Sequence, residues 1–207
     1  MEKGDTKQDI LKAALDLFSA QGYEATSVAQ IAEAVGIQKA TIYSHYASKQ
    51  EILDALTETV LEEYNRHSLF AGGRGENPFF TRRTRGITPE EAWCEIEEHI
   101  RYILHDETIK KIRKMLTIEQ FRNQKLKEMQ TKQTYTDVMQ YFTDVMRFLI
   151  RQGTLVGDDP EIMAAEFCLP VNVWINLCDR EPEREGEAME LARRYICSFF
   201  KTYGTKE

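Results

Sequence analysis

The stretch Gly22–Leu53, GYEATSVAQIAEAVGIQKATIYSHYASKQEIL, decides how the chain is read. Ser27-Val28-Ala29-Gln30 fits an S-x-x-Q capping box, in which a hydroxyl and a side-chain amide each satisfy a free backbone N–H at a helix start. The short helix opened there runs through Ile31, Ala32 and Val35 to Gly36, which lacks the Cβ that would strain a left-handed residue after a helix. Only Ile37 and Gln38 separate Gly36 from a second short run, Lys39-Ala40-Thr41-Ile42-Tyr43. Two short helices joined by a tight glycine turn form a helix-turn-helix. Ala32 must be small where the helices cross, and Val35, Ile37 and Ile42 fill the junction. After His45-Tyr46-Ala47 comes a second capping signal, Ser48-Lys49-Gln50-Glu51, which opens a helix carrying Ile52, Leu53, Leu56, Val60 and Leu61.

Upstream, Thr6 or Asp5 is expected to cap a helix whose apolar residues Ile10, Ala13, Ala14, Leu17 and Phe18 share one face, ending at Gly22. Downstream the composition changes. Residues 70–88 hold Gly72, Gly73, Gly75, Pro78 and Gly86 with Arg74, Arg82, Arg83 and Arg85, which reads as a solvated linker. Gly72-Gly73-Arg74-Gly75 is no phosphate loop, since neither a G-K-[ST] sequence nor a preceding strand accompanies it. From Pro89 on, everything has helical period. Thr88-Pro89-Glu90-Glu91 opens a helix with Trp93, Ile96, Ile100 and Ile103 in a stripe. Ile109, Ile112, Met115 and Leu116 form a second stripe. Tyr135, Val138, Met139, Phe142, Val145, Met146 and Leu149 form a third, ending near Gly153. No strand-period segment competes, so the expected fold is all-α with about nine helices.

The chain has 207 residues, enough for one ordinary domain or two small ones, and 42% of them are apolar. It carries 27 basic and 34 acidic residues, a net charge of −7; residues 1–60 alone hold 5 lysines against 9 acids. That excludes binding to nucleic acid through bulk charge, so any such contact must rest on local placement. No continuous apolar run approaches a membrane span and the N-terminus has no apolar leader, so a cytoplasmic location without membrane partners is expected. Cys94, Cys168, Cys178 and Cys197 form no C-x-x-C pair and read as buried small hydrophobes. Glu95, Glu98 and His99 could share a helix face, but further ligands are missing, so neither a metal nor a cofactor is expected.

The density of Gly22-Tyr23, Ser27, Ile31-Ala32, Gly36-Ile37, Thr41-Ile42-Tyr43, His45-Tyr46, Lys49 and Leu53 resembles the DNA-binding domain of the TetR/AcrR family of bacterial transcriptional regulators. Departures are mild: Gln38 stands where Ser is frequent, Ala40 where Gly is, and Tyr46 where Phe is. The resemblance implies a DNA-binding domain over 1–50 and a ligand-binding and dimerisation domain over 51–207. On DNA, the second helix of the unit would enter the major groove. Lys39 would donate to guanine, and Ala40 and Thr41 would offer methyl groups to thymine. Gln38, Tyr43, His45, Tyr46 and Lys49 would meet the groove or the phosphates, while Ser27, Ala29 and Gln30 would lie at its edge.

The helix near 160–178 is apolar almost all round, and the last helix, with Met189, Ala192, Tyr195, Ile196, Phe199, Phe200 and Tyr203, is wider than one stripe. A twofold partner would bury the excess, giving a homodimer through Phe167, Val171, Trp174, Ala192, Ile196, Phe199, Phe200 and Tyr203. Trp93, Tyr102, Met115, Tyr135, Met139, Phe142, Phe167 and Trp174 are candidate walls of a small-molecule pocket, with Asn172 and Asn176 as its polar groups. The expected function is a dimeric repressor released from a pseudo-palindromic operator by a small effector. A DNA-binding protein without ligand control and a helical-bundle enzyme are the alternatives; the enzyme would need a nucleophile–base pair or paired carboxylate and His ligands, and none is found.

Overall fold

The computed structural model describes residues 3–67 and 88–205, so the arginine- and glycine-rich stretch lies outside the described residues. They contain ten α-helices: α1 (Lys3–Gln21), α2 (Val28–Val35), α3 (Lys39–Tyr43), α4 (Lys49–His67), α5 (Pro89–His105), α6 (Glu107–Glu119), α7 (Gln124–Thr131), α8 (Asp137–Arg151), α9 (Pro160–Arg180) and α10 (Glu185–Tyr203). A π-turn occupies Lys132–Thr136; counted together with the helices before and after it, the total becomes nine. Among the described residues there is no strand, only one isolated bridge between Leu155 and Gly204.

The first compact unit takes the chain up to His67 and adds Glu107–Gln130. It therefore runs well past the boundary expected at residue 50, because α4, α6 and α7 share one core with the helix-turn-helix. Ile10, Ala14, Phe18, Ile31, Ile42, Ile52, Leu53, Leu56, Met115, Leu116 and Leu126 meet there. Phe18, Ile42 and Met115 are 0% exposed, and full burial of such side chains contributes about 1.5–3 kcal/mol each. Helix α1 begins at Lys3 rather than at a Thr6 or Asp5 cap, and Thr6 is buried inside it. Lys111 of α6 pairs with Asp16 of α1 at 2.7 Å.

The second unit holds the described parts of 68–106 and 131–207. Its core joins α5, α8, α9 and α10 through Trp93, Ile96, Ile100, Tyr141, Val145, Met146, Leu149, Phe167, Ile196, Phe199 and Phe200. Phe167 is the centre of an aromatic cluster, 5.2 Å from Phe142 and 5.0 Å from Phe199 between ring centroids. Thr88 caps α5 with the full reciprocal box, and Asp159 caps α9 through the N–H groups of Glu161 and Ile162. Helix α9 has the length and hydropathy of a membrane span; here it buries Met163, Ala164, Phe167, Cys168 and Cys178 in the unit's core.

Three sequence expectations need correction in this unit. The stripe expected from Tyr135 begins at Val138, because the π-turn shifts the helical phase and leaves Tyr135 55% exposed. The extra apolar width of α10 is used within the unit: Ile196 is 0% exposed, Phe199 5% and Phe200 6%. Of the cysteines, Cys168 and Cys178 are buried, but Cys94 is exposed and Cys197 only half-buried.

Candidate nucleic-acid interface

Helix α2 starts at Ser27 with both halves of the capping box in place: the Gln30 N–H donates to Ser27 Oγ at 3.2 Å, and the Ser27 N–H to Gln30 Oε1 at 2.8 Å. Gly36 ends it at φ 74°, with its N–H on the carbonyls of Ala32 and Glu33. Helix α3 is five residues long, too short to persist alone, and is held by Ile42, which is fully buried. Gln38 makes no side-chain cap, as its amide is a poorer cap than a hydroxyl. At α4 the Glu51 N–H donates to Ser48 Oγ at 3.1 Å, while the Glu51 carboxylate accepts from the Ala47 N–H, one residue before the expected cap.

With the core side taken by Ile42, the other side of α3 is open. Gln38, Lys39, Ala40 and Tyr43 are exposed, and Thr41 and His45 are half-buried. Lys39 Nζ lies 5.8 Å from the centre of the Tyr43 ring, one helical turn on. Ser27, Ala29 and Gln30 are exposed at the start of α2. Between Glu33 and Glu51 the sequence has no Asp or Glu, so α3 and the turns beside it carry no carboxylate of their own although the chain is acidic overall; exposed Glu33 lies one turn on from Gln30 in α2.

Two of the expected DNA contacts face inward instead. Tyr46 is 5% exposed, its ring in the first unit's core with Lys7 Nζ 5.4 Å from its centre. Lys49 donates to the carbonyls of Tyr23 at 2.7 Å and Thr26 at 2.9 Å, with its Nζ 4.1 Å from the Tyr23 ring centre. The carbonyls of a turn and the face of an aromatic ring both attract an ammonium group, so Lys49 binds the protein rather than facing outward. Sequence reasoning missed Glu119, which is 1% exposed and accepts the Tyr23 N–H at 2.8 Å. No local signal ties it to Tyr23, 96 positions away.

The expected pocket residues are scattered. Met115 belongs to the core of the first unit, and Tyr135 is exposed. In the second unit Trp93 and Phe167 are buried, and Tyr102, Met139, Phe142 and Trp174 are half-buried. Met139 Sδ accepts from the Cys168 thiol at 3.8 Å, and burial pushes that thiol's pKa up to about 11. Asn172 Nδ2 donates to the Thr134 carbonyl in the π-turn at 3.1 Å, and Asn176 Nδ2 to the Asn172 carbonyl at 2.8 Å. A different, apolar pocket of about 200 Å³, including its part open to solvent, is lined by Ile100, Leu104, Val171, Trp174, Cys178 and Met189 among others. It shares Trp174 with the expected set and is smaller than a drug-sized ligand requires. His99, half-buried on α5, has its imidazole pKa pushed down to about 4 by burial. Among the described residues no cluster of His, Cys, Asp and Glu could hold a metal ion.

On the outer side of α9 and α10 other apolar side chains remain uncovered. Val173 is 63% exposed, Ile162 54% and Leu191 37%, and Val171 and Trp174 of the expected dimer set are half-buried. Tyr203, also half-buried, donates to Glu166 Oε2 at 2.6 Å.

The family model for bacterial regulatory proteins of the tetR family matches residues 10–56. Over 74 residues the chain is 45% identical to the HTH-type transcriptional regulator TcmR of Streptomyces glaucescens, a match that spans 35% of this chain and only 32% of TcmR. Over 125 residues it is 30% identical to IcaR, the HTH-type negative transcriptional regulator of the biofilm operon icaADBC in Staphylococcus epidermidis, covering 50% of this chain and 68% of IcaR. SmeT, the repressor of the Stenotrophomonas maltophilia multidrug efflux pump SmeDEF, shares the fold at a TM-score of 0.65 and 20% identity, over 97% of this chain and 91% of SmeT. SmeT is also known in a complex with triclosan. With a helix-turn-helix of this geometry and a relative matched over two thirds of its length, the chain belongs to the TetR family of bacterial regulatory proteins.

Proposed function

We propose that the chain is a non-enzymatic, cytoplasmic transcriptional repressor that binds a pseudo-palindromic operator as a homodimer and is released by a small-molecule effector. The observation that carries the reading is the carboxylate-free outer side of α3, where Lys39 and Ala40 are exposed and no core residue competes for them. A recognition helix in the major groove reads bases through residues of this kind near its N-terminus. Lys39 donates to guanine, Ala40 and Thr41 meet thymine methyl groups, and Gln38, Tyr43 and His45 approach phosphates. Ser27, Ala29 and Gln30 flank the groove. Tyr46 and Lys49 support this surface from behind.

The dimer forms through the outer side of α9 and α10, where Ile162, Val173 and Leu191 extend the expected patch at Val171 and Trp174. The effector binds within the second unit, among Trp93, Tyr102, Met139, Phe142 and Phe167, with Asn172 and Asn176 as the nearby amides. That SmeT takes triclosan, an aromatic molecule, supports an apolar effector of similar chemistry.

The test is fluorescence anisotropy with a labelled duplex of the protein's own upstream region. Wild type should bind as a dimer, and Lys39→Ala should lose about 1–3 kcal/mol and relax base preference at one position in each half-site. If Lys39→Ala binds this duplex and its base-substituted variants like wild type, α3 is not in the groove.

A further inference from the structure

We propose that Glu119, which lies outside the helix-turn-helix in sequence, is a positioning residue for DNA recognition: its carboxylate holds the turn from which α2 starts and so fixes where α2 and α3 are presented. The inference rests on the DNA-binding reading above.

Glu119 ends α6, and its carboxylate is removed from water at 1% exposure. Burying such a group is costly unless it is hydrogen-bonded. The bond is to the N–H of Tyr23, at 2.8 Å. Gly22 makes the approach possible. A Cβ there would stand 3.1 Å from Glu119 Oε1 and 3.3 Å from Ile118 Cγ2, and the glycine's φ of +86° disfavours any side chain. On the other side of the same residue, Lys49 Nζ takes the Tyr23 carbonyl at 2.7 Å and the Thr26 carbonyl at 2.9 Å. An acid from α6 and a base from α4 thus grip the two backbone groups of one residue.

The next residue after this gripped turn is Ser27, the cap of α2. Helix α2 has only 8 residues and α3 only 5, so neither holds its own direction; each inherits it from what anchors its start. Thr26 Oγ1 donates to the Gly22 carbonyl at 2.8 Å and accepts from Gln21 Nε2 at 3.1 Å, which closes the turn against the end of α1 but ties it to neither α4 nor α6. Glu119 ties it to α6 and Lys49 to α4, where the Tyr23 hydroxyl adds a bond to Gln50 Oε1 at 3.2 Å. A leucine at 119 would fill much of the same space and avoid the desolvation of a charge, so packing alone gives no reason for an acid there.

The experiment uses the full chain as wild type, Glu119→Leu and Glu119→Gln, and reads two quantities: the exchange rate of the Tyr23 amide hydrogen and the affinity for the upstream-region duplex. Glutamine keeps an acceptor for the Tyr23 N–H, so both readouts should stay within about 3-fold of wild type. Leucine removes the acceptor. With the fold retained by circular dichroism, the Tyr23 amide should exchange at least 10-fold faster and the affinity fall at least 10-fold, with an unchanged salt dependence because no cation that meets a phosphate is removed. A folded Glu119→Leu protein that binds the duplex like wild type overturns the proposal. So does a wild-type Tyr23 amide that exchanges as fast as one on an open loop, a result that stands even if Glu119→Leu does not fold. Failure of wild type itself to bind the duplex sinks the DNA-binding reading, which separates that failure from failure of the clasp.

Discussion

Replacing Lys49 by alanine separates two roles that a lysine at this position could have. In the structure its ammonium group makes hydrogen bonds of 2.7 and 2.9 Å to the carbonyls of Tyr23 and Thr26 and sits 4.1 Å from the Tyr23 ring centre. Hydrogen bonds to charged groups contribute about 1.5–3 kcal/mol each. Lys49 is half-buried, so solvent replaces part of the loss, and ordering its long stem costs side-chain entropy. The net loss should be about 2–3 kcal/mol. In urea, where small proteins lose about 1–3 kcal/mol of stability per molar, the midpoint should drop by about 1–2 M. The slope of log affinity against log salt on the upstream-region duplex should stay as in wild type, since no phosphate partner is removed. A lysine on phosphate would behave in the opposite way: an unchanged urea midpoint, and a slope shallower by about 0.9 for each phosphate no longer neutralised. Finding that second pattern would refute the inward placement.

Gly36→Ala adds a Cβ that meets no atom within 4 Å, so its cost comes from the φ of +74° alone, about 1 kcal/mol by urea denaturation; stability equal to wild type would mean the turn is not left-handed. Val173→Asp, at a side chain 63% exposed, should convert dimer to monomer in sedimentation while the second unit stays folded. Ile196→Asp, at 0% exposure, should unfold that unit, and a folded monomer from Ile196→Asp would contradict the core assignment. Burial holds the His99 pKa at about 4, so the unfolded chain, with its ordinary histidine pKa of 6.5, takes up the proton first as pH falls. Stability from this group is complete above about pH 6.5 and declines toward pH 4 by no more than about 3 kcal/mol. His99→Leu should flatten the dependence of the urea midpoint over that window, and an unflattened profile would show that another group carries it.

The parts of the fold that could be read from sequence are those whose physics is local. The box at Ser27 and Gln30, the stop at Gly36 and the Thr88–Pro89 start each involve residues within four positions, and all are in the structure. The direction in which a side chain faces is not local. Lys49 and Tyr46 lie in a polar stretch that looks exposed, yet one is turned inward by carbonyls more than twenty positions upstream and the other is taken into the first unit's core, with Lys7 of α1 beside its ring. The width of apolar surface on α10 suggests a partner chain because one stripe suffices for a helix with one neighbour. This helix packs against both α5 and α9, so most of that width is consumed at home. At Tyr135 the assumption of 3.6 residues per turn fails, and nothing in Lys132–Thr136 announces the π-turn that breaks it.

The absence of carboxylates between Glu33 and Glu51, set in a chain of net charge −7, bears on how such a regulator would search a chromosome. Bulk DNA competes for any regulator through its phosphates, and proteins with many exposed lysines and arginines spend most of their time adsorbed to it. Here Lys49 is turned inward and the open side of α3 presents a single lysine, Lys39, so α3 itself adds little purely electrostatic grip on random sequence. On the proposed dimeric reading, selection of the true site by this helix would rest on base contacts and on the two half-sites engaging together. For the proposed repressor, a brief loss of register between the two reading heads would then be enough to open the promoter.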